Sequence, residues 1–162
     1  MKRLLLGVMA FIVLLSGCGT KYTSRTATYI APYSFMTATL WYEIPESWDC
    51  VDKIDLSSFI PNANDKITME YKSSSDFEPI IDNCIAYNAE NHEGRKWNYQ
   101  EMTMNGKNVL KYSLETPEGT DYRYLVDLGS SGAVMIYTNS INNTSNPYEK
   151  DMEHIVDTIR TV

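Results

Sequence analysis

The 162-residue chain predicts an α+β fold, in which a mostly antiparallel β-sheet is layered with two amphipathic helices. Several segments alternate apolar and polar residues with the period of two that is typical of half-buried strands. Two other segments place apolar residues three and four positions apart, which indicates helices. Tight-turn sequences such as Asn105-Gly106 separate neighbouring strand segments and favour antiparallel hairpins over parallel crossovers.

Three strand segments open the predicted domain. Ala38–Ile44 alternates clearly and ends at Pro45, which cannot donate a hydrogen bond to a neighbouring strand. Asp55–Ile60 is a weaker second strand, and a turn leads to Lys66–Lys72, where alternation returns.

The period changes after this third strand, and a helix follows. Ser75 and Glu78 have the spacing of a capping box, and Pro79 lies in the first turn, where proline is tolerated. Helical spacing of apolar residues then continues to about Ala89 and predicts one buried stripe, made of Phe77, Ile80, Ile81, Cys84 and Ile85.

The second half predicts four consecutive antiparallel strands and a closing helix. The strands are Trp97–Met104, Lys107–Thr116, Asp121–Leu128 and Ala133–Thr138, joined by short turns that contain glycine. After a polar loop at residues 139–145, Asn146 and Glu149 have capping-box spacing around Pro147. An apolar stripe then predicts a helix to the end of the chain, made of Tyr148, Met152, Ile155, Val156 and Ile159.

The N-terminus carries an export signal. Lys2 and Arg3 precede the uncharged run Leu4–Leu15, which is too short for a bilayer span of roughly 20 residues. The run leads into Leu15-Ser16-Gly17-Cys18, which resembles the lipobox of bacterial lipoproteins. The resemblance implies cleavage before Cys18 and a diacylglyceryl thioether on its sulfur, with further acylation by fatty acids such as palmitate.

The lipobox resemblance also implies a cellular location and a domain organisation. Residues 1–17 are a signal peptide, residues 18–34 a lipidated tether and residues 35–162 a single domain. A short edge strand near Thr26–Ile30 is left open within the tether. The protein is expected in the bacterial cell envelope, facing outside the cytoplasm. Gly19 favours the outer membrane if the host has one; otherwise the outer face of the cell membrane is expected.

Cys50 and Cys84 are the other two cysteines. Export makes a disulfide between them feasible. Such a bridge would close a loop of 35 residues and stabilise the fold by about 3 to 4 kcal/mol. The alternative is two separately packed thiols, because free cysteine behaves as a small apolar residue.

The charge balance disfavours nucleic acid as a partner. The chain has 21 acidic and 14 basic residues and a formal charge of −7, and loss of Lys2 and Arg3 with the signal makes it more negative. An acidic domain is repelled by phosphate backbones and by anionic headgroups.

No residue pattern predicts catalysis or a bound cofactor. His92 and His154 lie in separate segments, without a nucleophile motif beside either one. Asp49, Asp52 and Asp55 are spaced by three and could attract a hard cation weakly, but no metal-loop spacing surrounds them, so a solvated acidic turn is preferred. We therefore expect no enzyme activity, cofactor or metal site.

Aromatic residues are abundant, with 12 Tyr and 3 Trp. Trp41, Arg123 and Tyr137 fall on the polar faces of their strands, where aromatic surfaces serve sugar or protein contacts. The preferred alternative is that a helix covers this face of the sheet.

Tyr42-Glu43-Ile44-Pro45-Glu46-Ser47-Trp48 resembles the opening of PsbP-like domains, and the closing helix with Ile155-Val156 and Ile159 is similar too. The resemblance spans about residues 38–162 and implies an α/β/α sandwich, but carries over no functional residue. We expect a non-enzymatic accessory lipoprotein that binds an envelope protein. The alternative is a lipoprotein that binds a small ligand or a metal ion.

Overall fold

The structure is a computed structural model, and it describes residues 19–138 and 146–162. The predicted signal peptide, Cys18 and the predicted loop at 139–145 lie outside the described residues. Within those two ranges, no helix is both long and apolar enough to cross a bilayer.

The described chain forms two antiparallel sheets and two α-helices, which confirms the predicted α+β class. The larger sheet has the strand order β3-β4-β5-β9-β8-β7-β6, and the smaller one has the order β1-β2-β10. In chain order the elements are β1 Tyr22–Ile30, β2 Thr37–Pro45, β3 Asp49–Asp52, β4 Leu56–Ile60, β5 Ile67–Lys72, α1 Glu78–Ala89, β6 Lys96–Met104, β7 Lys107–Thr116, β8 Gly119–Asp127, β9 Ala133–Thr138, α2 Glu149–Thr158 and β10 Arg160–Thr161.

The elements stack in three layers around the larger sheet. Its inner face carries the main core, in which Met69, Tyr124 and Val126 meet Tyr42 of the smaller sheet and Ile155 of α2. Its outer face carries a second apolar cluster that packs under α1 and contains Leu110, Tyr112, Leu125, Ala133, Phe77, Ile80 and Ile81. Successive side chains along each strand point to opposite faces of the sheet. A single strand therefore contributes side chains to both apolar clusters.

The predicted meander of four strands is confirmed. The strands β6 to β9 pair in sequence order, and the β6–β7 turn uses Asn105 and Gly106 with φ of 48° and 77°. Two consecutive residues with positive φ give the turn a twist that matches the twist of the flanking strands.

The edge strand left open near Thr26–Ile30 is present as β1, but it begins at Tyr22, so the tether prediction is wrong for the strand residues 22–25. The nine residues of β1 pair with β2 from Tyr22 opposite Pro45 to Ile30 opposite Thr37. The alternating polar residues of β1 are mostly threonine, whose branched side chain suits a strand, so hydrophobicity alone underestimated it. Tyr29 supplies the buried contact that fixes β1 onto the core.

Two further stretches differ from prediction. Asp49–Asp52, predicted as an acidic turn, forms the edge strand β3 beside β4. The last helix ends at Thr158 instead of Val162, because the chain becomes extended at the buried Ile159 and β10 pairs with Trp41 and Leu40 of β2.

Neither predicted capping box forms. The Ser75 hydroxyl donates to Asp127 on β8 at 2.8 Å, and α1 begins at Glu78 without a side-chain cap. Asn146 accepts from the Tyr148 N–H at 2.9 Å, one turn before α2 begins. A tertiary contact therefore takes the Ser75 hydroxyl from the helix end, whereas the Asn146 side chain makes a local bond. Ile85, predicted on the buried stripe of α1, is instead 52% exposed.

Candidate functional site

The β1–β2 hairpin ends in a loop with two fully exposed aromatic side chains. In this aromatic loop, residues 31–36, Tyr33 is 103% exposed and Phe35 is 88% exposed. The Ala31 N–H donates to the Met36 carbonyl at 2.7 Å and closes the loop at its base. Ala31 itself is buried, so the base is fixed in the core while both rings meet solvent.

Both aromatic residues hold a left-handed backbone. The φ of Tyr33 is 65° and that of Phe35 is 56°, values that bulky side chains rarely adopt. The Ser34 hydroxyl accepts from the Met36 N–H at 3.3 Å between them. Such conformations cost of order 1–3 kcal/mol each and concentrate at binding sites and switches. The strain and the exposure coincide on the same two residues.

A third exposed apolar side chain lies at this end of the molecule. Ile54 follows β3 and is 67% exposed, and its carbonyl accepts from the Ile30 N–H at 2.7 Å. This backbone bond joins the β3–β4 connection to the end of β1. Tyr33, Phe35 and Ile54 are exposed at the same end of β1, and we call these three residues the tip.

An acidic groove of about 720 Å³ begins beside the tip. Tyr33 lines it together with the carboxylates Asp55, Glu70 and Asp76. The one lysine in its lining, Lys72, is paired with Glu70 at 2.8 Å. The groove therefore keeps a negative balance, and it favours a basic group over an acidic one.

The opposite end of β1 is fastened to α2 by His154. The Tyr22 ring stacks on His154 with 3.6 Å between centroids, and the Tyr22 hydroxyl donates to Asp151 at 2.7 Å. Burial, with the nearby Asp151 carboxylate, raises the pKa of Tyr22 to about 12. The Nε2 atom of His154 bonds Glu43 on β2 at 2.8 Å. Through these contacts His154 joins β1 and β2 to α2, which is a structural role.

The other histidine has local partners as well. His92 bonds Glu90 at 3.1 Å through Nε2, and its ring stacks on Tyr87 at 3.9 Å. Among the described residues, no Ser or Cys side chain is hydrogen-bonded to either histidine, so the structure assembles no nucleophile–histidine pair there.

A buried polar cluster joins β1, β2 and β4. The Ser57 hydroxyl bonds Tyr29 at 2.5 Å and Tyr42 at 3.4 Å, and it donates to Asp52. Cys50 also donates to Asp52, at 3.3 Å. Burial, followed by the Asp52 carboxylate, raises the pKa of the Cys50 thiol to about 11, so it is protonated at neutral pH. Ser57 is 0% exposed, so its hydroxyl does not contact solvent.

The possible disulfide between Cys50 and Cys84 is contradicted by the structure. Both thiols are free. Cys50 packs on the inner face of the larger sheet at its β3 edge, whereas Cys84 lies on α1 above the outer face near β7. A disulfide needs Cα atoms within about 7 Å, and a sheet stands between these two. The alternative of two separately packed thiols is what the structure contains.

The three aspartates of the acidic stretch do not converge. Asp49 and Asp52 lie on β3, and Asp52 is used by Ser57 and Cys50, while Asp55 lines the groove at the tip. In the two described ranges, no group of three or more His, Cys, Asp or Glu residues could hold a metal ion.

The three residues predicted on the polar faces of their strands lie in different surroundings. Trp41 is covered by the Arg160 guanidinium, 4.0 Å from its ring centroid. Arg123 lies beneath α1, between Trp97 and Tyr112, so a helix covers this part of the sheet as the preferred alternative predicted. Tyr137 pairs with Arg123 across β8 and β9 and is half-buried.

The sequence reasoning missed the aromatic loop because it assigned residues 18–34 to a tether. A usable signal was present: Pro32 and Ser34 are turn residues between two stretches rich in Thr and Tyr. Such a pattern predicts a hairpin whose loop carries Tyr33 and Phe35.

Comparison of the chain with protein-family models gives no match, and comparison with curated proteins gives none either.

Proposed function

We propose that this protein is a lipid-anchored, non-enzymatic binding module of the bacterial cell envelope that docks an envelope protein through its tip. The anchor is a diacylglyceryl group on Cys18, and the domain faces outside the cytoplasm. The exposed, strained Tyr33–Phe35 pair is the observation that carries the proposal.

The anchor proposal draws on the sequence and on the position of β1. The lipobox-like sequence ends at Cys18, and β1 begins at Tyr22. Three residues separate the lipidation site from the sheet. A two-chain lipid on one cysteine holds a protein stably, so the domain would sit close to the bilayer surface.

The relation to PsbP-like domains is part of the same proposal. The α+β layering, with helices on both sides of an antiparallel sheet, is compatible with it. Domains of one fold serve many roles, so this relation supports the architecture only. The chemistry of the partner is inferred from the exposed surface of the domain.

The tip selects a partner of particular chemistry. Two aromatic rings beside Ile54 offer an apolar anchor of the kind that dominates protein interfaces. Asp55 and Asp76 in the neighbouring groove attract basic side chains. We therefore expect a protein with an apolar pocket bordered by lysine or arginine, and binding that weakens as salt rises.

Photocrosslinking in membranes that hold the full chain tests this function. A benzophenone amino acid at position 33 should give one discrete protein adduct, and the same probe at Tyr99, an exposed tyrosine on β6, should not. The adduct should disappear in a Phe35→Ser variant and at high salt. Identical adducts from positions 33 and 99, or adducts with lipid alone, would contradict a protein-docking tip.

A further inference from the structure

A second cleft, separate from the tip, lies between α1 and the outer face of the larger sheet. Its volume is about 420 Å³, within the range of small-molecule sites. Arg123 of β8 lines it beside two aromatic rings, with its guanidinium carbon 5.4 Å from the Trp97 centroid and 5.9 Å from the Tyr112 centroid. Ile80 and Tyr87 supply the helix side.

Arg123 has no salt-bridge partner within the described part of the chain. No carboxylate there lies within 4.0 Å of its guanidinium nitrogens. Its Nε atom is buried and has no hydrogen-bond partner. A buried donor left unpaired is costly, and each such group in a folded protein calls for an explanation. The aromatic rings attract the cation but accept no bond from Nε in the guanidinium plane.

The surrounding groups restrict what can complete the site. Glu90 also lines the cleft, and its carboxylate bonds His92 at 3.1 Å. Asp121 has a buried Oδ1 without a partner, but it does not line the cleft. A single guanidinium beside one carboxylate suits a monoanion better than a phosphate dianion, because the second charge would have no cation to meet.

The apolar side chains that line the cleft indicate what the uncharged part of the ligand would be. Trp97 and Tyr112 present flat apolar surfaces, and Ile80 and Cys84 face them from α1. Aromatic rings stack on such surfaces in offset or edge-on contact. A planar carboxylate head meets a guanidinium fork with two parallel hydrogen bonds.

We propose that this cleft binds a small aromatic carboxylate, with the carboxylate on Arg123 and the ring between Trp97 and α1. The three tip residues do not line this cleft, but the acidic groove beside the tip shares Ile80 and Tyr112 with it. This proposal gives the domain a second role, the binding of a small monoanion, besides docking a protein.

Phenylacetate and its neutral analogue phenylacetamide are the probes that test the site. Titration of the full chain in mild detergent, followed through the Trp97 indole N–H resonance, should show saturable phenylacetate binding in the millimolar range or tighter. Phenylacetamide should bind at least about tenfold more weakly, because it lacks the charge that meets the guanidinium. This comparison needs no variant, and it removes partition into detergent as an explanation.

Two variants complete the experiment. Arg123→Met keeps the side-chain volume and should weaken phenylacetate binding about tenfold or more. Arg160→Met is the matched control, because Arg160 also stacks on a tryptophan but lies on the smaller sheet, and binding should be unchanged. Equal binding of acid and amide, equal binding by the Arg123→Met variant, or an unmoved Trp97 resonance would each overturn the proposal.

Discussion

Gly132 is a residue whose backbone leaves little room for a side chain. It follows the 3₁₀ turn Gly129–Ser131 with φ of 88°, and a Cβ there would lie 2.5 Å from the Lys72 carbonyl oxygen. The Tyr71 hydroxyl lies 3.1 Å from the same point and donates to Ser131. Only glycine combines this φ with so close an approach of a neighbouring strand.

A Gly132→Ala variant is therefore expected to lower the free energy of unfolding by about 3 kcal/mol. Gly106→Ala is the matched control: its φ is also positive, at 77°, but nothing lies within 4 Å of its Cβ. That change should cost about 1 kcal/mol. Urea unfolding of both variants measures the difference, and equal losses would show that contact with Lys72 is unimportant.

At the scale of elements, β1 decides whether the chain before Phe35 is a tether or part of the fold. Tyr29 is fully buried, and its hydroxyl bonds both Tyr42 and Ser57. Burial raises the pKa of Tyr29 to about 12, as expected for a phenol kept neutral inside a core.

Truncation separates the two descriptions of β1. A chain that starts at Phe35 should lose more than about 3 kcal/mol of stability relative to one that starts at Gly19, because it lacks the buried Tyr29 ring. Thermal unfolding followed by circular dichroism measures this. Equal melting temperatures would restore the tether interpretation.

A surface clamp joins the β4–β5 turn to the start of α2 and is sensitive to pH. Asp65 accepts from the Tyr148 hydroxyl at 2.5 Å and from Asn62 Nδ2 at 2.7 Å. These hydrogen bonds hold the pKa of Asp65 below its usual value. The stabilisation is therefore present above the unfolded pKa of about 4 and is lost as pH falls through the lower folded pKa.

Asp65→Asn should consequently destabilise the protein by less than about 1 kcal/mol near pH 7, since the clamp is solvated. The difference from the parent should shrink below about pH 4 and disappear below the lowered folded pKa of Asp65, where the parent aspartate is also neutral. Denaturant unfolding across pH measures both trends. Tyr148→Phe removes the same bond from the other side and should show the same pH dependence; a constant difference would contradict the clamp.

At the scale of the whole molecule, the length of β1 sets the orientation expected for an anchored domain. Its nine residues separate the Cys18 end from the aromatic loop by about 26 Å. Ser47 lies at the Cys18 end, because the N–H of the preceding Glu46 donates to Lys21 at 2.8 Å. An upright domain therefore presents the tip away from its own membrane.

Fluorescence quenching by labelled lipid headgroups tests this orientation in full chains reconstituted into vesicles. A fluorescent amino acid at position 47 should be quenched strongly, and one at position 33 should be quenched weakly. A Cys18→Ser variant should lose both signals, since it lacks the anchor. Stronger quenching at position 33 than at 47 would mean that the tip inserts into the bilayer instead.

Local pattern was enough for most of the regular structure. Alternation and turn chemistry located β2, β4, β5 and the β6–β9 meander, because their inner faces are mostly apolar and their turns use residues suited to positive φ. The apolar stripe of α2 was recovered for the same reason, and that of α1 was recovered except for the exposed Ile85. The aromatic loop was missed, since β1 presents threonine where a strand usually shows a clear contrast of apolar and polar residues.

What the sequence determined by itself is the α+β class, the order of most elements and a lipobox-like N-terminus, since each of these depends on residues that are neighbours along the chain. Only the tertiary structure determined the surroundings and partners of Cys50, Ser75 and Arg123. It placed Cys50 and Cys84 on opposite faces of a sheet, gave the Ser75 hydroxyl to Asp127, and left Arg123 unpaired beneath α1. These outcomes depend on which strands lie side by side, and that order arises only when the layers pack.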